Sequence, residues 1–299
     1  METPTDAASD DRLVLGLMDV LDLIAPGARA HGWTALPSTR SQVHDIAVTM
    51  PSGSEVHIII VRHPTGTTRE AALAVGGTLE RLRKGPVPAP DVLWLDPDGV
   101  VFGVPAMALT RLQGTPGVDH DALAWAASLA ATLADVHLFA GELLPHLPIV
   151  ATAEEVTPDA VPVAGEREAQ VLAVLRDHAP DVGFEESRLV HGRLGPTSVL
   201  STGDAITGLV DWRGARRGDP RIDVGAAHAL TWLTAGPEAA EALREAYAAR
   251  TGRSLDHLAW FGLAALGSCL GDQLDGIDDV NNRLRDYLDW ALAAAAHDE

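Results

Sequence analysis

The chain has 299 residues, 46% of them apolar, and a chain of this length and composition can bury a sizeable core in a globular protein. Its formal net charge is -20, which repels phosphate polymers and therefore argues against nucleic acid and against an anionic membrane surface as partners. The single cysteine, Cys269, excludes an intrachain disulfide and a multi-cysteine zinc site, as is typical of proteins of the reducing cytoplasm.

The N-terminal third of the chain is predicted to form a small β-rich lobe over residues 12–110. Residues 1–11 before it are polar and acidic, and we expect them to form a disordered tail. No basic, apolar leader opens the sequence, and no apolar run reaches the roughly 18 residues that cross a bilayer. The predicted elements are a helix at 13–24, a hairpin of strands at 43–50 and 55–61, a helix at 69–84 interrupted at Gly76-Gly77, and a hairpin of strands at 92–95 and 100–109.

The remainder of the chain, residues 111–299, is predicted to form a larger and mainly helical lobe. Asp119 is a suitable N-cap for the first of its helices, and Pro237 fits a first helical position. One β-hairpin lies inside this lobe at 189–212. The predicted elements are helices at 121–139, 166–177, 237–250, 255–272 and 277–296, with the hairpin strands at 199–201 and 206–210. This order predicts an α+β chain with two lobes, and ligand sites form at such lobe junctions.

Polar residues flank the hairpin on both sides, between residues 189 and 223. His191-Gly192-Arg193-Leu194 comes before its first strand, and Asp211-Trp212 follows its second strand. Gly218-Asp219-Pro220 and Asp223 come next. This layout resembles the catalytic centre of the aminoglycoside phosphotransferase family, and within it the macrolide phosphotransferases. The resemblance implies a bilobal protein-kinase-like fold that transfers phosphate from ATP or GTP, with Mg²⁺, to a hydroxyl group of a small molecule.

The loop departs from the family at the position of the catalytic base. The family pattern is His-Gly-Asp-Leu, and Arg193 stands where it has aspartate. Arginine stays protonated and cannot accept a proton, and loss of a positioned base typically lowers a rate by about 10²- to 10⁴-fold. His191 keeps its family position, where the resemblance implies a role in bracing the loop. Asp223 is expected to cap the following helix and to bond loop amides.

The resemblance also implies metal ligands and a nucleotide site. Asp211 corresponds to the family's principal Mg²⁺ ligand, and Ser198 stands at the position of the second ligand, which is Asn or His in relatives. Carboxylate and hydroxyl oxygens are hard donors of the kind that Mg²⁺ prefers. The implied nucleotide contacts are Arg62 as the phosphate anchor, Ser38 and Ser41 in the loop that covers the phosphates, and the backbone of Ala108 and Thr110 at the base.

Two features weaken this nucleotide site. The segment 38–42 contains no glycine, so its backbone amides approach phosphates less easily. The helix glutamate that usually pairs with the phosphate anchor is missing, because residues 75–76 at the aligned position are apolar.

Three interpretations follow from the sequence. The first is a phosphotransferase-like protein with impaired or lost transfer that retains nucleotide or ligand binding. The second is a working small-molecule kinase with atypical catalytic residues, because positioning carries much of phosphoryl transfer. The third is an interaction protein on the same fold that binds no nucleotide. Pairing of Arg193 or another arginine with Asp211 would favour the third.

Overall fold

The structure is a computed structural model that describes residues 7–38, 40–118, 121–140, 143–158, 161, 165–180, 187–267 and 280–297. The chain divides into two compact units, one of residues 1–84 and 90–112 and the other of residues 85–89 and 113–299. The sequence placed the boundary at residue 110 and gave no sign that the short segment 85–89 belongs with the second unit. Among the described residues, no helix is both long enough and apolar enough to cross a membrane.

The first unit consists of a five-stranded antiparallel sheet and two helices. Its elements are α1 (Ala7–Ile24), β1 (Arg29–Leu36), β2 (Gln42–Thr49), β3 (Glu55–Arg62), α2 (Arg69–Leu82), β4 (Val92–Asp96) and β5 (Ala106–Thr110). The strand order is β1-β2-β3-β5-β4, so β3 is central, as its apolar residues on both faces predicted. Leu17 and Val20 of α1 pack with Ile46, Ile58 and Ile60 of the sheet and form the centre of the core.

Two boundaries in this unit differ from the prediction. Helix α1 begins at Ala7, so residues 7–11 of the expected tail are helical; alanine and acidic residues favour a first helical turn. Strand β5 begins at Ala106 and not at residue 100. The preceding residues form turns, in which a carboxylate oxygen of Asp96 accepts the Val101 N–H at 2.8 Å. The sequence assigned no range to β1, whose side chains are mostly exposed.

Helix α2 is continuous, and the interruption predicted at Gly76-Gly77 is wrong. Gly76 is buried, and a Cβ atom at this position would lie 2.7 Å from a methyl group of Leu95. Glycine is therefore used here because α2 packs closely on β4, and its low helix propensity is overridden by that packing.

The second unit is mainly helical and holds two small sheets. Its elements are β6 (Thr115–Pro116), α3 (Ala122–Val136), α4 (Glu166–Asp177), β7 (Arg188–Val190), β8 (Val199–Thr202), β9 (Ala205–Leu209), β10 (Arg216–Gly218), α5 (Arg221–Ala235), α6 (Pro237–Thr251), α7 (Leu258–Ala265) and α8 (Val280–Ala295). The predicted hairpin is β8 and β9, to which β6 adds a short third strand. Strands β7 and β10 pair with each other, and along the chain β7 comes before the hairpin and β10 after it.

Some predicted boundaries in this unit also change. The N-cap of α3 is Asp121, whose carboxylate accepts the N–H groups of Leu123 and Ala124 at 3.0 and 3.1 Å. Asp119, the predicted cap, lies outside the described residues, as does Cys269. Helix α7 begins at Leu258, three residues later than predicted, because His257 adopts a left-handed backbone conformation with φ 61°. The ends of the predicted helices at 268–272 and 277–279 also fall outside the description.

Helices α5 and α7 cross closely at Gly225, which yields a test of the packing. A Cβ atom on Gly225 would lie 2.5 Å from Cβ of Phe261 and 2.8 Å from the backbone nitrogen of Gly262. Because the helix backbones must separate to admit it, we expect Gly225→Ala to lower the free energy of unfolding by about 3 kcal/mol in urea denaturation. The control is Gly32→Ala, where a Cβ meets no atom within 4 Å. Equal effects of the two variants would contradict the assigned packing.

Candidate functional site

The loop that joins β7 to β8 is held in place by a buried carboxylate, that of Asp223. Its side chain has 0% exposure and accepts the backbone N–H of His191 at 2.6 Å and that of Gly192 at 2.8 Å. Asp223 lies in the first turn of α5, and the N-cap position belongs to Pro220. The predicted bonds to loop amides are therefore present, but the predicted capping role is wrong.

The same carboxylate is tied to the interior of the helical unit through His137. The His137 ring contacts Asp223 Oδ2 through Nε2 at 3.2 Å and the Tyr247 hydroxyl through Nδ1 at 2.7 Å. Burial by itself raises the pKa of Asp223, but the hydrogen bond and the charge of His137 outweigh it, with help from the loop amides, and lower that pKa. The network keeps Asp223 ionised in a buried position and thereby fixes the start of the loop. No sequence pattern indicated that Tyr247 belongs to this network.

His191 is directed into the loop and not into solvent. Its Nε2–H donates to the Val210 carbonyl at 2.9 Å, its Nδ1 accepts the Arg193 N–H at 3.3 Å, and its ring packs on Trp212. Burial lowers the pKa of His191 and so favours the neutral ring. With both ring nitrogens bonded to the protein, His191 serves to shape the loop.

Asp211, the expected principal metal ligand, is held by two arginines. Arg213 forms a two-point contact with its carboxylate, Nε to Oδ1 at 2.5 Å and Nη2 to Oδ2 at 2.8 Å. Arg193 Nε lies 3.4 Å from Oδ2 on the same carboxylate. The Asp211 backbone is left-handed, with φ 65°, a conformation that aspartate tolerates better than most residues and that is common at functional sites. We refer to these three residues as the arginine clamp.

Arg213 was not predicted to take part in the site. It lies two residues after Asp211, and the intervening backbone forms a 3₁₀ turn over Trp212–Gly214. That turn brings the guanidinium back to the carboxylate. The only sign of this contact in the sequence is that a basic residue, Arg213, follows the candidate metal ligand Asp211 by two positions.

The described residues do not fit a Mg²⁺ site of the expected kind. The Ser198 hydroxyl is 2% exposed, donates to the Gly195 carbonyl at 2.9 Å and accepts the Gly195 N–H at 2.8 Å, so it braces the loop turn. The Asp211 carboxylate is already in contact with Arg193 and Arg213. Within the described part of the chain, no group of three or more His, Cys, Asp or Glu side chains is arranged to hold a metal ion.

The residues expected to contact nucleotide all lie in the first unit. Arg62, at 6% exposure, ends β3 and pairs with Gln42, and Ser41 directly precedes β2. The Ser41 hydroxyl is buried and has no hydrogen-bond partner among the described residues. Ser38 is exposed on the preceding segment. Arg62 and Ser41 therefore both lie at the end of the sheet where β2 begins and β3 ends.

The two residues expected at the base of the nucleotide are already engaged in the sheet. Ala108 is fully buried in β5 and pairs with Ile60 on one side and Trp94 on the other. Thr110 N–H donates to the Asp91 carbonyl at 3.0 Å, and its hydroxyl accepts the Asp91 N–H at 2.9 Å. The N–H of Thr110 is therefore not available to a purine edge.

The apolar position on α2 that replaces the expected glutamate is confirmed as an interior one. Val75 is buried, whereas Glu70 and Glu80 on the same helix are exposed. The helix therefore uses this face for packing.

Comparison with known proteins gives a consistent result. The sequence pattern of the phosphotransferase enzyme family matches residues 52–264. No curated protein matches the chain at a significant level. Among solved structures, the macrolide 2′-phosphotransferase MphH of Brachybacterium faecium is 20% identical with a TM-score of 0.60, over 95% of this chain and 98% of that one.

Two further structures extend the likeness. A macrolide 2′-phosphotransferase type I is 18% identical with a TM-score of 0.62 over 100% of both chains. The aminoglycoside phosphotransferase APH(3″)-Id of Streptomyces rimosus, in complex with ADP and streptomycin, is 18% identical with a TM-score of 0.57, over 93% of this chain and 97% of that one. At these identities the likeness shows the fold. The predicted α+β protein-kinase-like fold is confirmed, with a sheet-rich N-terminal part and a helical C-terminal part.

Proposed function

Because the chain belongs to the phosphotransferase enzyme family, we propose that it is an aminoglycoside and macrolide phosphotransferase-like protein in which phosphoryl transfer to a small-molecule hydroxyl is impaired or lost. The observation that carries this proposal is the arginine clamp, in which Arg193 and Arg213 both contact the carboxylate of Asp211.

The loop lacks a proton acceptor at the position of the family's catalytic base. Transfer to a hydroxyl needs a group that orients the nucleophile or takes its proton. Arg193 stands where the family carries aspartate, and a guanidinium stays protonated at any physiological pH. The nearby His191 cannot replace it, because both of its ring nitrogens are bonded to backbone groups.

Binding of a metal ion at Asp211 is opposed by the two arginines. A divalent cation is attracted to a carboxylate, but two guanidinium groups at 2.5 and 3.4 Å from Asp211 cancel that attraction. Mg²⁺ would have to displace at least one of them and would then lie next to a like charge. The clamp is also partly screened from water, since Arg193 and Arg213 expose only 12% and 15% of their side chains. Impaired metal binding and the missing base both lower the rate of phosphoryl transfer.

A second candidate function is favoured by the same clamp. If Asp211 serves only to hold Arg193 and Arg213, the chain can act as an interaction protein that binds neither ATP nor GTP. The first candidate keeps Arg62 and Ser41 as phosphate contacts, and the second does not need them. The two candidates differ in nucleotide binding and agree on the absence of efficient transfer.

Thermal shift with ATP and GTP, each with and without Mg²⁺, separates these candidates. For the first, we expect both nucleotides to raise the melting temperature by the same amount with and without Mg²⁺. Arg213→Ala should then make the response Mg²⁺-dependent, because it exposes the Asp211 carboxylate, and the further change Asp211→Ala should abolish that dependence.

The possible results lead to different conclusions. No shift at millimolar nucleotide favours the interaction protein. A Mg²⁺-dependent shift in the unmodified protein that Asp211→Ala removes, together with transfer of phosphate to a hydroxylated small molecule, would contradict both candidates and support a working kinase.

A further inference from the structure

The chain contains two tyrosines, Tyr247 and Tyr287, and both are buried in the second unit with 0% exposure. Burial raises the pKa of each tyrosine, so both hydroxyl groups keep their protons. The Tyr247 hydroxyl lies 2.7 Å from Nδ1 of His137, whereas the Tyr287 hydroxyl has no hydrogen-bond partner among the described residues. Of the two, only the Tyr247 hydroxyl is placed to direct a neighbouring polar side chain.

Asp223 determines which nitrogen of the His137 ring carries a proton. Its carboxylate is ionised, because burial raises its pKa less than the neighbouring histidines and the loop amides lower it, and an ionised carboxylate can only accept hydrogen bonds. Nε2 of His137 lies 3.2 Å from Oδ2 of Asp223, so Nε2 carries a proton and donates to that oxygen. The same oxygen accepts the backbone N–H of His191 at 2.6 Å. The His137 ring therefore reaches the loop through one shared acceptor atom.

The Tyr247 hydroxyl holds the orientation of this ring from its other side. Half a turn of the His137 ring about its bond to Cβ would put carbon atoms in the places of both nitrogens. The hydrogen bond at Nδ1 opposes that turn, because it would be lost together with the hydrogen bond to Asp223. The rings of His137 and Tyr247 also meet edge to face, with centroids 5.6 Å apart.

We propose that Tyr247 is a positioning residue for the loop between β7 and β8. Its hydroxyl holds the His137 ring with Nε2 directed at Asp223, and Asp223 in turn holds the loop through two backbone N–H groups. Tyr247 lies on α6 and His137 is the C-cap of α3, so these contacts join two helices to the loop that carries Arg193. The inference concerns the conformation of this loop and does not rest on the function proposed above.

The test compares Tyr247→Phe with Tyr287→Phe, two variants that each remove one hydroxyl from a buried ring. Amide hydrogen exchange, followed by NMR on the full chain, measures the protection of the His191 and Gly192 N–H groups. We expect both groups to exchange about tenfold faster in Tyr247→Phe, the usual effect of losing one hydrogen bond. Tyr287→Phe should leave both rates unchanged, because the described residues offer its hydroxyl no partner. Amides of α4 should keep their rates in both variants.

The His137 ring gives a second readout, which a general loss of packing would not change. In the unmodified protein and in Tyr287→Phe, we expect a persistent NMR signal from the proton on Nε2 of this ring. In Tyr247→Phe this signal should broaden or disappear, because the ring is free to turn. In a His137→Ala background, Tyr247→Phe should change the exchange of the loop amides less than twofold, since the side chain that links them is absent.

The proposal is overturned if the loop amides exchange no faster in Tyr247→Phe than in Tyr287→Phe. It is also overturned if amides of α4 accelerate by the same factor, because the hydroxyl would then contribute only to overall stability. A signal from Nε2–H that is missing from the unmodified protein, or unchanged in Tyr247→Phe, has the same consequence. If His137→Ala does not fold, the two tyrosine variants and the ring signal still decide the question.

Discussion

Replacing Arg193 with aspartate is expected to raise nucleotide-dependent phosphoryl transfer by about 10²-fold, which is the lower end of the contribution of a positioned base. The change places a proton acceptor at the position where the family pattern has its aspartate. It also removes one of the two guanidinium groups that contact Asp211, at 3.4 Å. Release of inorganic phosphate from ATP and GTP in the presence of Mg²⁺ measures the effect without knowledge of the small-molecule substrate.

Two further variants separate the base from the clamp. Arg193→Ala removes the guanidinium but supplies no base. In this variant Mg²⁺ should strengthen nucleotide binding, but the rate of phosphate release should not rise. The double variant Arg193→Asp, Arg213→Ala should release phosphate from nucleotide faster than Arg193→Asp does, because the two-point contact of Arg213 with Asp211 is then also removed. If Arg193→Asp hydrolyses nucleotide no faster than Arg193→Ala, Arg193 is not a lesion at the base position.

The local patterns of the chain predicted much of the fold. The hairpin of β8 and β9 was predictable because β-branched residues flank the Gly203-Asp204 turn. Helices α4 and α6 were found within a residue of their ends, since their starts and stops carry recognisable residues such as Pro237 and Gly252. These elements depend on interactions between neighbours in the sequence.

The features that could not be predicted from the sequence depend on contacts between residues far apart in the chain or on the conformation of a single turn. The contacts of Asp223 join α5 to a loop 31 and 32 residues earlier and to His137, 86 residues away. No periodicity encodes such contacts. The continuity of α2 through Gly76 depends on Leu95 of a later strand, so propensity alone gave the wrong result. The pairing of Arg213 with Asp211 depends on the 3₁₀ turn that follows the left-handed Asp211, and no sequence pattern predicted this turn.

The second large effect is expected from Asp223→Asn, which keeps the shape of the side chain and removes its charge. We expect the free energy of unfolding of the second unit to fall by about 3 kcal/mol at neutral pH, since removing one partner of a buried charged network leaves the others unsatisfied. The N–H groups of His191 and Gly192 and the ring of His137 all donate to this carboxylate. An amide presents an NH₂ group to at least one of these donors. Urea unfolding followed by far-ultraviolet circular dichroism measures the loss.

The effect of Asp223→Asn should depend on pH in a defined direction. The pKa of Asp223 is lowered in the folded protein, so its stabilisation is complete above the unfolded value of about 3.9 and is lost as pH falls through the lower folded value. The difference between the unmodified protein and Asp223→Asn should therefore be full at pH 7 and shrink below about pH 4. Asp177→Asn is the matched control, because Asp177 forms an exposed pair with Arg176, and its loss should change stability by less than about 1 kcal/mol. A difference for Asp223→Asn that is as small as this at pH 7 would mean that the carboxylate does not hold the loop. The loop would then owe its conformation to the packing of His191 on Trp212 and to the hydrogen bond from His191 to Val210.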